Sequence, residues 1–344
     1  MKALAALGLI VVLVGSTSHA QQPLTIEGVT VLGDYDSPQS CYVFVPVNRP
    51  DTIRPVVFLH GYGALNPVNY GAWLREILAQ GHPVIYPRYQ VNLLRPAPKK
   101  FVNNAVAGIQ EGLSLLTALD EPVAPSIVYI GHSYGGTIAA NLLASSQKLN
   151  LPAPYGALLA APGTGRFRGA RLESYDSIAP NTQIAIVTHA NDIIVGDELA
   201  RLIGSTVGDD TSVLYVTQKA RTHDTLQLRA GHNECYAVDL AFDTGLRNYT
   251  TRKGLRVGKI DANDRDLYWP LTSALLEGYA ARRTVAWPLT EEGLDYGTWP
   301  DGTTRAALEV SFSQQGSKRS STTEAISKMD AHVQPAPAAG REIE

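Results

Sequence analysis

A Gly-His-Ser-Tyr-Gly pattern at residues 131–135 is the part of this sequence best suited to chemistry. The apolar run Ser126 to Ile130 precedes it and small residues follow it, which predicts a sharp turn from a strand into a helix. Such a turn exposes a serine hydroxyl, and flanking glycines tolerate its strained backbone and the close approach of helix to strand. Ser133 is therefore a candidate nucleophile, with the first helix amide, on Tyr134, a candidate donor to an oxyanion.

A second motif, His60-Gly61-Tyr62-Gly63, follows the apolar run Pro55 to Leu59, which is typical of a strand buried on both faces. Together with residues 131–135, this motif resembles the α/β-hydrolase superfamily, in particular its secreted esterases and lipases. The resemblance extends from about Val56 to the His232 region. It implies that the loop formed by this second motif supplies a second oxyanion amide, on Tyr62. His60 itself is interpreted as a structural residue that fixes the loop.

An aspartate at the end of a strand is the candidate acid that would orient a catalytic histidine. Asp192 follows the apolar run Gln183 to Thr188, so its carboxylate can reach the edge of the sheet where Ser133 is expected. With the apolar residues 193–195 after it, Asp192 also matches the acid turn of the superfamily. Asp197 is interpreted as a helix N-cap, and Asp176, in an irregular stretch, is a weaker alternative.

Two histidines compete for the role of general base. Both His223 and His232 follow residues 212–217, predicted to be the last strand, and either gives the chain order serine, acid, histidine. We favour His232 because Gly231 before it lets the loop turn the ring inward, and because Cys235 beside it could anchor that loop. His223, a few residues past the strand, stays open as the alternative.

The chain alternates predicted strands and amphipathic helices over most of its length, which indicates an α/β fold with a mostly parallel central sheet and helices on both faces. The resemblance makes this an α/β-hydrolase fold. Residues 1–20 have a positive start, an apolar core and a small-x-small end, typical of a secretory signal peptide. Residues 21–314 are assigned to the hydrolase domain, and the polar residues 315–344 to a disordered tail.

Charge and composition limit the classes of partner that this protein is expected to bind. The formal net charge is −3 and no basic run stands out, so nothing indicates a nucleic-acid partner. The apolar run near the start is shorter than a bilayer crossing needs, so no membrane span is expected after signal cleavage, and the protein is expected to be secreted or periplasmic. Cys41 and Cys235 could form a disulfide or remain two buried thiols, and the sequence leaves both alternatives open.

The expected activity is cleavage of a carboxylic ester, from a small molecule or a lipid, through an acyl-enzyme on Ser133. No cofactor or metal is implied. Two alternatives remain: a peptidase or amidase with the same catalytic residues, and a non-catalytic protein of this fold that binds a ligand or partner.

Overall fold

The computed structural model describes residues 24–90, 93, 96–165, 170–211 and 213–312. The predicted signal peptide and the predicted tail lie outside these ranges. The strands, in chain order, are β1 (Val29–Leu32), β2 (Cys41–Pro46), β3 (Val56–Leu59), β4 (Val84–Pro87), β5 (Ser126–His132), β6 (Ala153–Ala160), β7 (Gln183–His189), β8 (Val213–Gln218), β9 (Arg221–His223), β10 (Leu226–Leu228), β11 (Leu289–Thr290), β12 (Gly293–Leu294) and β13 (Val310–Phe312). The α-helices are α1 (Gly71–Ala79), α2 (Phe101–Thr117), α3 (Tyr134–Ser145), α4 (Glu198–Thr206), α5 (Tyr249–Val257) and α6 (Trp269–Ala281).

Nine of these strands form one mixed sheet, in the order β1-β2-β4-β3-β5-β6-β7-β8-β13. The six strands from β4 to β8 pair in parallel, and β1, β2 and β13 add antiparallel strands at the two edges. The prediction of an α/β fold with a mostly parallel sheet is therefore confirmed. The early hairpin is also present, as β1 and β2.

Residues of the sheet alternate between two buried clusters, one on each face. In β3, Val56 and Phe58 belong to one cluster, whereas Val57 and Leu59 belong to the other. This period of two is the geometry of an extended strand, and it is why the continuous apolar run at this point indicates burial on both faces. Helices α1 and α6 contribute to the first cluster, and α2, α3 and α4 contribute to the second.

The strand predicted at residues 212–217 is present as β8, but the prediction that it is the last strand is wrong. Strand β13 pairs antiparallel with β8, with Ser311 opposite Tyr215, and so extends the sheet beyond it. β13 is three residues long, and its Phe312 is 43% exposed, so this edge strand has no run of buried apolar residues to indicate it. The short hairpin of β9 and β10 follows β8 and carries His223.

The structure also decides between the alternatives for the two cysteines. Both are free thiols. Cys41 lies in the cluster on the α2 and α3 face of the sheet, whereas Cys235 lies in the cluster on the α1 and α6 face. Because β2 alternates its side chains between the faces, Cys41 points away from Cys235, and the two remain separate buried thiols.

Candidate active site

Ser133 lies at the turn between β5 and α3 with a strained backbone. Its φ of 54° and ψ of −120° place it in a region that residues other than glycine rarely adopt. Neighbouring backbone groups hold it there: its amide donates to the Ala160 carbonyl at 2.9 Å, and its own carbonyl accepts from the Gly163 amide at 3.1 Å. Such strain persists only where the surroundings enforce it, and it is concentrated at functional sites.

The glycines around Ser133 are required by close packing. A Cβ atom on Gly135 would lie 2.0 Å from the backbone oxygen of Leu59, and one on Gly131 would lie 2.6 Å from the backbone oxygen of Gly135. Both contacts are with backbone, which cannot move aside as the end of a flexible side chain could. The pattern at residues 131–135 therefore lets α3 press against β3 and β5, as expected from the sequence.

Three predicted site residues meet at the carboxyl end of the sheet. The Nε2 atom of His232 lies 2.8 Å from Oγ of Ser133, and its Nδ1 atom lies 2.7 Å from Oδ2 of Asp192. Because a carboxylate can only accept, Nδ1 carries the ring proton, and Nε2 is left to accept a proton from the serine hydroxyl. The Asp192 side chain is fully buried and that of His232 is 10% exposed, so little water competes for these hydrogen bonds.

Asp192 is held in a turn directly after β7. Its Oδ1 atom accepts hydrogen bonds from the amides of Ile194, at 2.8 Å, and Val195, at 3.1 Å, which leaves Oδ2 for His232. Burial acts to raise the pKa of Asp192, but the hydrogen bonds from His232 and the two amides outweigh it and hold the pKa below its ordinary value. The carboxylate is therefore ionised at neutral pH.

His232 lies in the loop after β10, and backbone and side-chain hydrogen bonds fix that loop. The Asn191 amide, next to Asp192, donates to the Ala230 carbonyl at 2.9 Å. The Gly231 amide donates to Oε1 of Glu234 at 3.1 Å. The carbonyl of His232 itself is 2.9 Å from Nε2 of His132, the residue before the nucleophile. Hydrogen bonds thus directly join the turn of Asp192, the loop of His232 and the turn of Ser133.

A buried chain of hydrogen bonds links His132 to the loop at residues 60–63. The Gly61 amide donates to the Tyr70 hydroxyl at 2.8 Å, and that hydroxyl lies 2.8 Å from Nδ1 of His132. Because Nε2 faces a carbonyl and must carry a proton, Nδ1 accepts the proton of the Tyr70 hydroxyl. Burial lowers the pKa of His132 well below its ordinary value, and the neighbouring His232 acts in the same direction. The ring is therefore neutral, as this chain requires.

Tyr62 and Tyr134, the predicted oxyanion residues, both line the cavity at Ser133. The amides on either side of Tyr62 have other partners: that of Gly61 donates to Tyr70, and that of Gly63 donates to Oε1 of Gln90 at 2.8 Å. These two bonds fix the loop on both sides of Tyr62. The role of the Tyr62 and Tyr134 amides as oxyanion donors stays a prediction.

The cavity has a volume of about 400 Å³ and opens beside Ser133 and His232. Apolar side chains from the acid turn and from α5 stand at its rim, where Ile193 is 93% exposed and Tyr249 is 73% exposed. Other lining residues include Thr164, Val195, Asn233, Tyr236, Thr250 and Lys253. Sequence reasoning missed the α5 side of this cavity, because the chain returns to it over a long separation that no local pattern reveals.

His223, the alternative candidate for the general base, lies outside the cavity at Ser133. His223 is in β9, its Nε2 lies 2.8 Å from Oδ2 of Asp301, and its ring stacks on Trp299 with centroids 5.0 Å apart. It does not line the cavity at Ser133. The structure thus brings His232, and not His223, to Ser133 and Asp192.

The structure also shows where the other residues considered from the sequence lie. His60 is fully buried, its ring nitrogens face the carbonyls of Gly61 and Arg88, and burial lowers its pKa to about 4. This burial agrees with the structural role expected of His60. Asp197 stands at the N-cap of α4, but its side chain makes no capping hydrogen bond; its carboxylate pairs with Arg201 at 2.8 Å. Asp176 is exposed.

Among the described residues, one trio brings three metal-ligand atoms within 4.8 Å of one another: His223, Asp224 and Asp301. The trio is largely exposed, none of its members lines the cavity at Ser133, and the hydrogen bond between His223 and Asp301 accounts for their proximity. No helix within the described ranges is long and apolar enough to cross a membrane.

In comparisons with known proteins, no protein-family model and no curated protein matches the chain.

Proposed function

We propose that this protein is a serine hydrolase of the α/β-hydrolase superfamily that cleaves carboxylic esters through an acyl-enzyme on Ser133. The observation that carries the proposal is the relay in which His232 contacts Ser133 Oγ at 2.8 Å and Asp192 Oδ2 at 2.7 Å. Support also comes from the strand–turn–helix context of Ser133 and from the chain order of serine, acid and histidine, both typical of this superfamily.

In the first half of the reaction, Oγ of Ser133 attacks the ester carbonyl while Nε2 of His232 takes its proton. Asp192 holds the ring in the required tautomer and stabilises the imidazolium that forms. The negative charge that develops on the carbonyl oxygen is stabilised by the backbone amides of Tyr62 and Tyr134. Loss of one such donor typically costs about 3–4 kcal/mol of barrier stabilisation. His232 then gives the proton to the departing alcohol, and the acyl-enzyme remains.

In the second half, water enters the open cavity and His232 removes one of its protons as it attacks the acyl carbon. The same amides stabilise the second oxyanion, and the proton returns from His232 to Oγ of Ser133 as the carboxylic acid leaves. The chain's own residues supply every proton transfer of this cycle.

The experiment compares ester turnover by the mature protein with that by three variants: Ser133→Ala, His232→Ala and His223→Ala. We expect 4-nitrophenyl ester hydrolysis to fall at least about a thousandfold for Ser133→Ala and His232→Ala. His223→Ala serves as the matched histidine control and should retain most activity. Loss of activity in His223→Ala alone would show that the base is assigned incorrectly.

Two further assays separate the remaining alternatives. A fluorophosphonate probe should label the wild type and leave Ser133→Ala unlabelled, whereas a non-catalytic binding protein would take up no probe. Paired ester and anilide substrates with the same acyl group should show turnover of the ester. Faster cleavage of the anilide would assign the protein to the amidases and peptidases instead.

We also propose that the protein is exported, on the basis of residues 1–20. Fractionation of cells expressing the full chain, with mass determination of the mature N-terminus, tests this proposal. Cleavage after Ala20 is the expected result, and retention of the intact chain in the cytoplasm would contradict it.

A further inference from the structure

Lys253 is the only residue of formal charge among the described residues that line the cavity at Ser133. It is half-buried, and it makes no ion pair with another described residue. The cavity wall therefore carries one positive charge without a neutralising carboxylate. A half-buried charge is less screened than an exposed one, so a bound anion would interact with it appreciably.

The helix that carries Lys253 strengthens this positive wall. Helix α5 contains Arg252, Lys253 and Arg256 and has no acidic residue. Tyr249 and Lys253 are four residues apart, so they share one face of the helix, and both line the cavity. The N-terminus of α5, at Tyr249, also lies at the cavity, where the helix dipole adds positive potential.

Another part of the cavity wall is apolar. The acid turn contributes Ile193, Ile194 and Val195, and Ile193 and Ile194 are 93% and 54% exposed. Exposed apolar side chains at the mouth of a cavity indicate that an apolar part of a ligand covers them when it binds. The cavity beside Ser133 thus has both an apolar surface and a cationic group in its lining.

We propose that the preferred substrates are carboxylic esters that also carry a free carboxylate, such as monoesters of dicarboxylic acids. The apolar chain packs on Ile193 and Ile194, and the carboxylate pairs with Lys253. A single lysine matches a singly charged group of this kind. This inference rests on the proposed ester hydrolysis and names the substrate class of the same site.

The test follows release of 4-nitrophenol from two esters of the same acyl chain, one charged and one neutral: 4-nitrophenyl hydrogen adipate and its methyl-capped counterpart, 4-nitrophenyl methyl adipate. Three variants are compared with the wild type. Lys253→Met removes the charge and keeps the length of the side chain, and Lys253→Arg keeps the charge. Arg256→Met removes the same charge from the same helix at a position outside the cavity lining.

We expect kcat/KM of the wild type to favour the charged ester. Lys253→Met should lower kcat/KM for that ester about fivefold, as expected for a partly screened ion pair, and lower kcat/KM for the neutral ester by a smaller factor, so that the preference is lost. Lys253→Arg should restore the preference, and 0.5 M salt should weaken it in the wild type. For Arg256→Met, kcat/KM for each of the two esters should stay within twofold of the wild-type value.

Three results would overturn the inference: no preference for the charged ester in the wild type, equal losses for both esters in Lys253→Met, or the same selective loss in Arg256→Met. The last would mean that the overall charge of α5 attracts anions without a specific contact. In each case turnover of the neutral ester would show that the proposed function itself still holds. Absence of any ester turnover and of probe labelling would instead reject that function.

Discussion

The Nε2 atom of His132 lies 2.9 Å from the backbone carbonyl oxygen of His232, so the residue before the proposed nucleophile holds the backbone of the proposed base. The other nitrogen of the same ring is bonded to Tyr70, which also binds the amide of Gly61. One buried neutral histidine therefore connects the serine turn, the histidine loop and the predicted oxyanion loop. Three segments far apart in sequence are held at fixed relative positions through it.

Replacing Tyr70 by Phe is expected to loosen this connection. The change removes one hydroxyl and leaves the Gly61 amide and Nδ1 of His132 buried without that partner, which costs about 1–3 kcal/mol. We expect ester kcat/KM to fall about tenfold, mainly through kcat, because the loop near Tyr62 and the loop of His232 lose their common support. Steady-state kinetics and thermal unfolding measure the two effects.

Tyr129→Phe is the matched control, because Tyr129 is equally buried and its hydroxyl has no hydrogen-bond partner among the described residues. This variant should retain full activity and unfold at the same temperature as the wild type or above it. Equal behaviour of the two variants would contradict a positioning role for Tyr70.

Because of Asp264, the free energy of unfolding is expected to decrease as the pH rises. Burial raises its pKa from 3.8 to about 8, and its Oδ1 atom has no hydrogen-bond partner among the described residues. Between these two pH values the unfolded chain loses the proton and the folded chain keeps it. The contribution of this group to stability is therefore full below about pH 3.8 and is lost as the pH rises toward 8, by at most about 1.4 kcal/mol per pH unit.

Asp264→Asn removes this titration and keeps an oxygen that can accept the hydrogen bond from the Asp261 amide. Urea unfolding at pH 5, 6.5 and 8 should show that the variant gains stability over the wild type progressively with pH. The exposed Asp176→Asn is the control, and its difference from the wild type should not vary in this way. A constant difference for Asp264→Asn would refute the prediction.

Gly135→Ala is expected to disrupt the serine turn. Its Cβ would lie 2.0 Å from the backbone oxygen of Leu59, so α3 would have to move away from β3. Overpacking of this kind costs about 1–3 kcal/mol or more, and displacement of α3 also moves Ser133 and the Tyr134 amide. Differential scanning calorimetry and ester kinetics should both show a loss.

The control for this variant is Gly208→Ala, where a Cβ would meet nothing within 4 Å. It should change the free energy of unfolding by less than about 0.5 kcal/mol. If Gly135→Ala changed the free energy of unfolding as little as Gly208→Ala, the close approach of α3 to β3 would not be a constraint on this position.

The two cysteines are expected to behave as inert free thiols. Both are fully buried, and burial raises the pKa of Cys41 to about 12 and that of Cys235 well above its ordinary value. The reactive thiolate is therefore scarce in the folded protein. Without reductant, a thiol reagent should titrate no cysteine in the native state and both in denaturant, and reductant should not shift the unfolding temperature. If the reagent titrated no cysteine in denaturant, the two cysteines would be joined in a disulfide.

Local patterns were enough to place the strands and helices around Ser133 and Asp192. The glycines at 131–135 and the apolar runs before both residues are constrained by their immediate neighbours, so a short window of sequence carries the information. The choice between His223 and His232 depended instead on the β9–β10 hairpin, which carries His223 to Asp301, and on the bond between the Asn191 amide and the Ala230 carbonyl.

Features that depend on long-range pairing were not predictable in this way. Strand β13 is recognisable only by its partner β8, because three residues of which none is fully buried carry no strand signal of their own. The separation of Cys41 from Cys235 follows from the face of the sheet to which Cys41 points, and a shift of one residue in the register of β2 would reverse it. The cavity wall formed by α5 likewise depends on where a distant segment returns to the sheet.

Because Ser133 has a positive φ, a substitution at this position can stabilise the fold and at the same time abolish the chemistry proposed for this protein. Glycine would adopt this backbone without the strain that serine bears, which is worth about 1–3 kcal/mol for such conformations. A library selected only for heat resistance should therefore enrich Ser133→Gly, a protein with the same fold and no nucleophile. Any stabilisation of this scaffold must hold residue 133 fixed or select for turnover at the same time.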